Sequence, residues 1–428
     1  MEKVRYGIIG CGNMGSSHIR YLSEGKIEGA VLAAICDIKP EKMDNVEKII
    51  AEKNPELKVS RYENYKDLLK SGDVDAVLIA TPHYLHPTIG IEAFAANVHV
   101  LSEKPIGVYT KQVLELYEAA KKSDRVFGIM YNQRTNPLYQ KVREIVQSGQ
   151  LGELKRCVWI ITNWYRTQAS YNSGGWRATW KGEGGGVLTN QCPHNLDLWQ
   201  WMFGMPSKVR GFCYNGKYHD IEVEDDVTAY AEYANGATAT FITTTGEFPG
   251  TNRLEISGDL GKIVVENDKI TYTKLLSPER EYCFSSTEGF KGPESEVVDL
   301  DIKRDPAKLY EHAGITQNFT NAILHGEELL SPGLEGINGL QISNAVYLSS
   351  WLDKTIELPV DPEVYFEELS KRIATSNFEK AEVVETVADL SNTYNSNNKI
   401  LQQNRLSHRK GGFCLTENFI MRNLTRFC

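Results

Sequence analysis

The segment Gly10-Cys11-Gly12-Asn13-Met14-Gly15 constrains this chain more than any other. A short apolar run rich in strand formers, Val4-Arg5-Tyr6-Gly7-Ile8-Ile9, leads into it. A helix-compatible stretch follows to Leu22 and is closed by Gly25. Residues 30–36 make a second apolar run, which ends at Asp37. A glycine triplet alone is weak evidence. Between a strand and a helix, with an acid about 20 residues on, it is the dinucleotide-binding fingerprint in the setting it requires. Gly10 permits the tight turn, Gly12 lets the backbone approach a pyrophosphate, and Gly15 lets the helix pack on the strand. The amides of the helix start, around Asn13 and Met14, meet the phosphate charge. Asp37 can accept hydrogen bonds from a ribose diol and would repel a 2′-phosphate. NAD is therefore favoured over NADP, with Lys39 a nearby opposing charge.

Strand and helix patterns alternate to about residue 131. Apolar runs at 75–80, 98–102 and 126–131 are separated by helical stretches at 87–96 and 110–122. Continuous apolar strands of this kind belong to a parallel sheet covered on both faces. The pattern predicts a doubly wound α/β domain with ligands beyond the carboxyl ends of the strands. Gly10, Asp37, Thr81 and Lys104 all stand at such ends. Past 131 the texture changes to glycine-bounded strands of alternating pattern at 156–163, 208–214, 227–233, 237–245, 253–257 and 262–266. Asn235-Gly236 and Asp259-Leu260-Gly261 read as hairpin turns. Helices are expected at about 192–202, 308–324 and 337–352, with a last strand at 355–358. This is an α+β domain with a large, mostly antiparallel open sheet. The expected division is a nucleotide-binding domain at 1–130, a substrate and oligomerisation domain at 131–360, and an extension at 361–428. That extension turns polar and basic after 391 and is expected to pack poorly there.

A chain of 428 residues is too long for one small core. Its net charge of −9 argues against a nucleic-acid surface. No apolar run reaches the roughly 18 residues of a membrane span. The first strand begins almost at once, so no signal peptide is expected. The eight cysteines are scattered and read as reduced thiols. A cytoplasmic protein is expected. No metal-ligating cluster is recognisable.

Two further stretches carry chemistry. Glu103-Lys104-Pro105 places an ammonium just past a buried strand. Gly184-Gly185-Gly186 leads through Asn190 and Pro193 into a helix carrying His194 and Asp197. Together with the fingerprint and the antiparallel second half, these motifs resemble the Gfo/Idh/MocA oxidoreductases over roughly residues 4–358. The resemblance implies NAD(P) held between a Rossmann domain and an open-sheet domain. It makes Lys104 the lysine beside the reacting hydroxyl and His194 the proton acceptor or donor. Four residues before that histidine the family usually has Asp. Here stands Asn190, which can bond a sugar hydroxyl but cannot take its proton.

The resemblance also sets Trp176 and Arg177 beside nicotinamide and substrate. It makes Thr81-Pro82-His83-Tyr84-Leu85-His86 a turn at the cofactor, with His83 replacing the usual Asn. His86 is either a cofactor contact or a structural hydrogen-bonder. Glu103 is expected on the cofactor side, and a cis peptide at the Glu-Lys-Pro bend, as in some relatives. Arg134 is expected to line the pocket, and Asp197 to anchor its helix.

The expected reaction is hydride transfer between a secondary hydroxyl of a sugar, glycoside or cyclitol and the nicotinamide. His194 acts as base with Lys104 assisting. The aromatic residues Trp164, Tyr165, Tyr171, Trp176 and Trp180 either suit a polyol partner or belong to the core and an oligomer face. Two alternatives share the fold: an NAD-dependent glycosidase that oxidises its sugar transiently, and a regulator that senses NAD without catalysis. A homo-oligomer is expected, because a large open sheet leaves one face to cover.

Overall fold

The computed structural model describes residues 2–378. Strands β1 (Val4–Ile9), β2 (Ala30–Cys36), β3 (Ser60–Tyr62), β4 (Ala76–Ile79), β5 (His99–Ser102) and β6 (Phe127–Ile129) form the first sheet. All are parallel, in the order β3-β2-β1-β4-β5-β6. The order reverses between β1 and β4, and the crevice beyond their carboxyl ends is the topological switch point. Crossovers are α1 (Asn13–Ser23), α2 (Pro40–Lys53), α3 (Tyr65–Lys70), α4 (Leu85–Ala95) and α5 (Thr110–Lys121). Strands β4 and β5 are buried at every position, the reason they read as unbroken apolar runs.

A 3₁₀ turn, Asn132–Thr135, and helix α6 (Pro137–Gln147) then lead into β7 (Leu154–Ile161). Next come α7 (Gln168–Asn172), α8 (Val187–Asn190) and α9 (Pro193–Phe203). Six strands follow: β8 (Lys208–Asn215), β9 (Glu224–Glu232), β10 (Thr238–Thr244), β11 (Asn252–Gly258), β12 (Gly261–Glu266) and β13 (Lys269–Leu275). After α10 (Glu279–Ser285) and β14 (Ser295–Leu300) the chain forms α11 (Glu311–His325), α12 (Gly336–Leu352), β15 (Ile356–Glu357) and α13 (Pro362–Thr375). The second sheet has nine strands in the order β14-β13-β12-β11-β7-β10-β9-β8-β15. It is antiparallel except where β7 lies parallel to β10. Both expected hairpins form, β9–β10 and β11–β12.

The structure departs from the sequence reading in several places. The short helices α7, α8 and α10 and the later α13 were not expected. Helix α6 is present where none was expected. Strands β13 and β14 extend the sheet past the last expected one. Helix α11 packs back on the first sheet: Ile315 and Phe319 share one apolar cluster with Val4, Tyr6 and Ile8. The Tyr6 hydroxyl bonds Thr320 Oγ1 at 2.7 Å. Of the expected extension, α13 is the described part; the stretch after 391 lies outside the described residues.

Candidate active site

The glycine turn is built as its residues demand. Gly10 has φ +98°, and a Cβ there would lie 2.6 Å from the Ala80 carbonyl. A Cβ on Gly15 would lie 1.8 Å from the Gly10 carbonyl, so α1 can approach β1 only without one. Gly12, by contrast, faces open space, with nothing within 4 Å of its Cβ position. It begins α1 without a side-chain cap, and Asn13 and Met14 form the half-exposed first turn beyond it. Asp37, just past β2, is oriented by two amides: Cys11 N at 2.8 Å and Lys39 N at 2.9 Å. Each carboxylate oxygen keeps a lone pair for a further donor. Across the crevice, Thr81 Oγ1 is buried without a hydrogen-bond partner. A bare cradle at a helix start, an oriented carboxylate and an orphaned hydroxyl fit a dinucleotide.

Lys104 lies just past β5, and its peptide bond to Pro105 is cis. Its Nζ donates to the Asn190 carbonyl at 2.7 Å. That carbonyl ends α8, where the helix itself supplies no partner, and a cation there is favourable. Burial pulls the Lys104 pKa down to about 8, with Arg177 and Arg166 adding to the fall and Glu103 and Glu183 opposing it.

His194 is the second residue of α9, four positions beyond Asn190. Pro193 opens this helix, and all eleven of its residues are buried. Its Nδ1 has no hydrogen-bond partner, and its ring stands 6.4 Å from that of Tyr131, edge to face. Burial, then the Lys104 charge, holds the imidazole well below its ordinary pKa. Lys104 thus bonds the end of α8, at the corner four residues before His194, and its charge is felt by that imidazole.

Residues 4–131 match the family model described as oxidoreductase family, NAD-binding Rossmann fold. Residues 139–264 match the GFO/IDH/MocA C-terminal domain. The chain belongs to the Gfo/Idh/MocA oxidoreductase family. The levoglucosan dehydrogenase of Pseudarthrobacter phenanthrenivorans is 26% identical over 84% of this chain and 99% of its own length. The α-N-acetylgalactosaminidase of Shewanella oneidensis is 29% identical over 44% of this chain and 42% of its own. Among solved structures, the WlbA dehydrogenase from Bordetella pertussis, in complex with NADH and UDP-GlcNAcA, has a TM-score of 0.70 at 25% identity. It covers 84% of this chain and 100% of that one. The Gfo/Idh/MocA family therefore accounts for an oxidoreductase fold with NAD as cofactor, and it includes sugar-acting dehydrogenases.

Several expected site residues of this Gfo/Idh/MocA chain turn out to be supports. Both ring nitrogens of His86 meet backbone carbonyls, Nδ1 that of Pro105 and Nε2 that of Thr81, each at 2.7 Å. His86 ties the Thr81 turn to the Glu-Lys-Pro bend and keeps no nitrogen for a cofactor. The Glu103 carboxylate is buried against His18 Nε2 at 2.6 Å and accepts from Lys104 N at 3.1 Å. Burial alone would push this carboxyl up, but the His18 hydrogen bond and nearby positive charge hold it at about 2.

Arg134 does not line a pocket. It is 1% exposed, grips both oxygens of Asp197 at 2.8 and 2.6 Å, and also bonds the Leu330 carbonyl and Glu335. Asp197 anchors its helix through this pair, as expected. Trp164, Tyr171 and Trp180 are core residues, each at most 5% exposed. Trp176 stays half-exposed, with the His83 ring edge-on at 5.1 Å and the Arg177 guanidinium 4.8 Å from its ring centre.

Sequence reasoning missed three groups around this corner. Glu224 accepts from Gly186 N at 2.8 Å, Leu188 N at 2.9 Å and the Tyr347 hydroxyl at 2.7 Å, and so fixes the start of α8. Burial pushes this carboxyl up to about 7 against those bonds. His312 on α11 stands 5.5 Å from the His18 ring, and burial draws its pKa down to about 4. Glu183 accepts a hydrogen bond from the Asn190 side chain. Glu224 and His312 reach the site from distant segments, whereas Glu183 directly precedes the Gly184-Gly185-Gly186 run and lies seven residues before Asn190.

Proposed function

We propose that this chain is an NAD-dependent dehydrogenase acting on a secondary hydroxyl of a sugar, glycoside or cyclitol. A hexose or glycoside oxidised at a ring carbon such as C3 is preferred over myo-inositol. One observation carries the reading: Lys104 Nζ bonds the carbonyl of Asn190, one turn before a buried His194 whose Nδ1 has no partner. Gly10, Gly12, Gly15, Asp37 and Thr81 hold the cofactor, which accepts or returns the hydride when bound. Neutral His194 takes the hydroxyl proton, and the Lys104 ammonium stabilises the oxygen as charge develops on it. Asn190, Trp176 and Arg177 orient the polyol.

His194→Ala and Lys104→Ala are expected to lose about 10²–10⁴-fold in kcat while NAD affinity stays within a few-fold. Stopped assays of NADH formation on a panel of hexoses, glycosides and inositols, with fluorescence titration of NAD, read both quantities. Normal turnover in both variants would remove the assignment. The similarity to a galactosaminidase supports a second reading, transient oxidation followed by loss of an aglycone. Release of nitrophenol from nitrophenyl glycosides without net NADH favours it. A homo-oligomer belongs to the same proposal: Phe212, Tyr214 and Tyr230 stand 44%, 50% and 41% exposed on the outer face of β8 and β9. A monomer by light scattering counts against that part.

A further inference from the structure

Glu183 is a buried carboxylate whose contacts reach several substrate-side groups at once. It is 2% exposed. Its Oε1 accepts from Asn190 Nδ2 and lies 3.6 Å from Arg177 Nη1. Its Oε2 accepts from Ala178 N at 2.7 Å, and its main-chain carbonyl meets His83 Nδ1 at 3.2 Å. A buried carboxylate is stable only when charges and donors surround it, so these contacts are mutually required.

The bond to Asn190 has a chemical consequence. A primary amide has a donor end and an acceptor end, and unrestrained it presents either. An ionised carboxylate accepts only, so Glu183 must face the NH₂ end. Oδ1 is then the end left for other partners; it already takes Gln191 Nε2 at 3.3 Å. A hydroxyl that meets Asn190 meets an acceptor, the right polarity for the hydroxyl of a polyol. Meanwhile a full negative charge lies one hydrogen bond behind position 190, and the same charge favours the protonated form of Lys104.

We propose that Glu183 is the positioning residue of this cleft: it locks the Asn190 amide with its oxygen toward the substrate, holds Arg177, and supplies the carboxylate charge that position 190 itself lacks. The inference rests on the dehydrogenase reading above. It assigns Glu183 no proton transfer.

The test is a charge swap across one hydrogen bond in the full-length protein. Glu183→Gln, Asn190→Asp and the double variant are assayed with NAD and the best sugar of the panel, alongside His194→Ala. Glu183→Gln replaces an acceptor-only carboxylate by an amide that can present either end, so the Asn190 amide is no longer ordered; a lost alignment of this kind lowers kcat/KM by roughly 10- to 100-fold. Asn190→Asp sets two carboxylates against each other and also loses activity. The double variant restores one donor and one carboxylate with their places exchanged, and is expected to regain at least about 10-fold over Glu183→Gln, mainly in kcat. Unchanged NAD titration and circular dichroism in all variants exclude simple misfolding. Glu183→Gln within two-fold of the parent, or a double variant no better than the worse single one, overturns the proposal. If His194→Ala is inactive in that case, the dehydrogenase reading survives; if His194→Ala is active too, that reading has failed first.

Discussion

At the residue scale the environments of Lys104 and His194 predict a pH profile. The base must be neutral to take a proton. Burial and the Lys104 charge keep His194 well below 6.5, so its neutral form persists as pH falls through that value. Lys104 must be charged to stabilise an oxyanion, and its charge is lost as pH rises through about 8. Values of kcat/KM are therefore expected to hold level from pH 6.5 up towards about 8, and to fall above it. In Lys104→Arg the guanidinium remains charged beyond this range, so the alkaline fall should move up even as the rate drops. An acid limb centred at or above 6.5, or an unchanged alkaline limb in Lys104→Arg, contradicts these roles. Much of this corner was legible in advance. Lys104 and His194 sit in local motifs whose spacing survives in one dimension. Glu224 and His312 do not: each acts through a contact made only when remote segments fold together. Glu183 adjoins the glycine run, but an acid there gives no sign in sequence of which side chain it holds. Arg134 misled for the mirror-image reason, and His86 was left open between two roles, since a polar side chain near a site reads the same whether it faces the cleft or props its wall.

Elements were legible where they repeat a strong pattern. The parallel strands and both hairpin turns stood out through apolar runs and turn residues. Helix α6 was missed, although Asn136 caps it through Leu138 N at 3.0 Å and Pro137 opens it, because the strands around it set the reading. Strand β14 was missed because it is an exposed edge with little apolar burial to mark it. The clamp between the 3₁₀ turn and α9 is the element-scale feature with the clearest energetic consequence. Arg134 and Asp197 are each 1% exposed, and removing one partner strands a buried charge. Arg134→Met is expected to destabilise the protein by about 3–5 kcal/mol in urea unfolding, while Arg134→Met with Asp197→Leu recovers most of it. Loss below about 1 kcal/mol in the single variant would mean that the ion pair does not hold α9. Because α9 carries His194, kcat should fall in the single variant below its unfolding midpoint.

At the scale of the whole molecule, the chain does not finish with its first sheet at residue 131. Gly128 bridges Pro332, Ile129 N bonds the Ser331 carbonyl at 3.1 Å, and the Tyr117 hydroxyl bonds the Gly333 carbonyl at 2.9 Å. Asn344 on α12 then takes Thr110 N at 3.2 Å and gives a hydrogen bond to the Val108 carbonyl at 3.1 Å. The same helix lies along β8 of the second sheet and along α9. The return of α11 and α12 to the first sheet was not visible in the sequence, where stretches at about 308–324 and 337–352 read as ordinary helices of the second domain; which sheet a helix covers is not encoded in its own periodicity. They couple the two sheets mechanically, so neither can unfold while α11 and α12 stay in place. Calorimetry is therefore expected to give one cooperative transition for both sheets. NAD at about 100 times its Kd adds about 2.7 kcal/mol to the native state, which moves that single transition up by on the order of 3 °C. NADP at equal concentration should move it less if Asp37 takes the ribose role of the fingerprint acid, because its charge would then repel a 2′-phosphate. Two resolved transitions, with NAD raising one and leaving the other in place, would show that the return helices do not bind the halves into one unit.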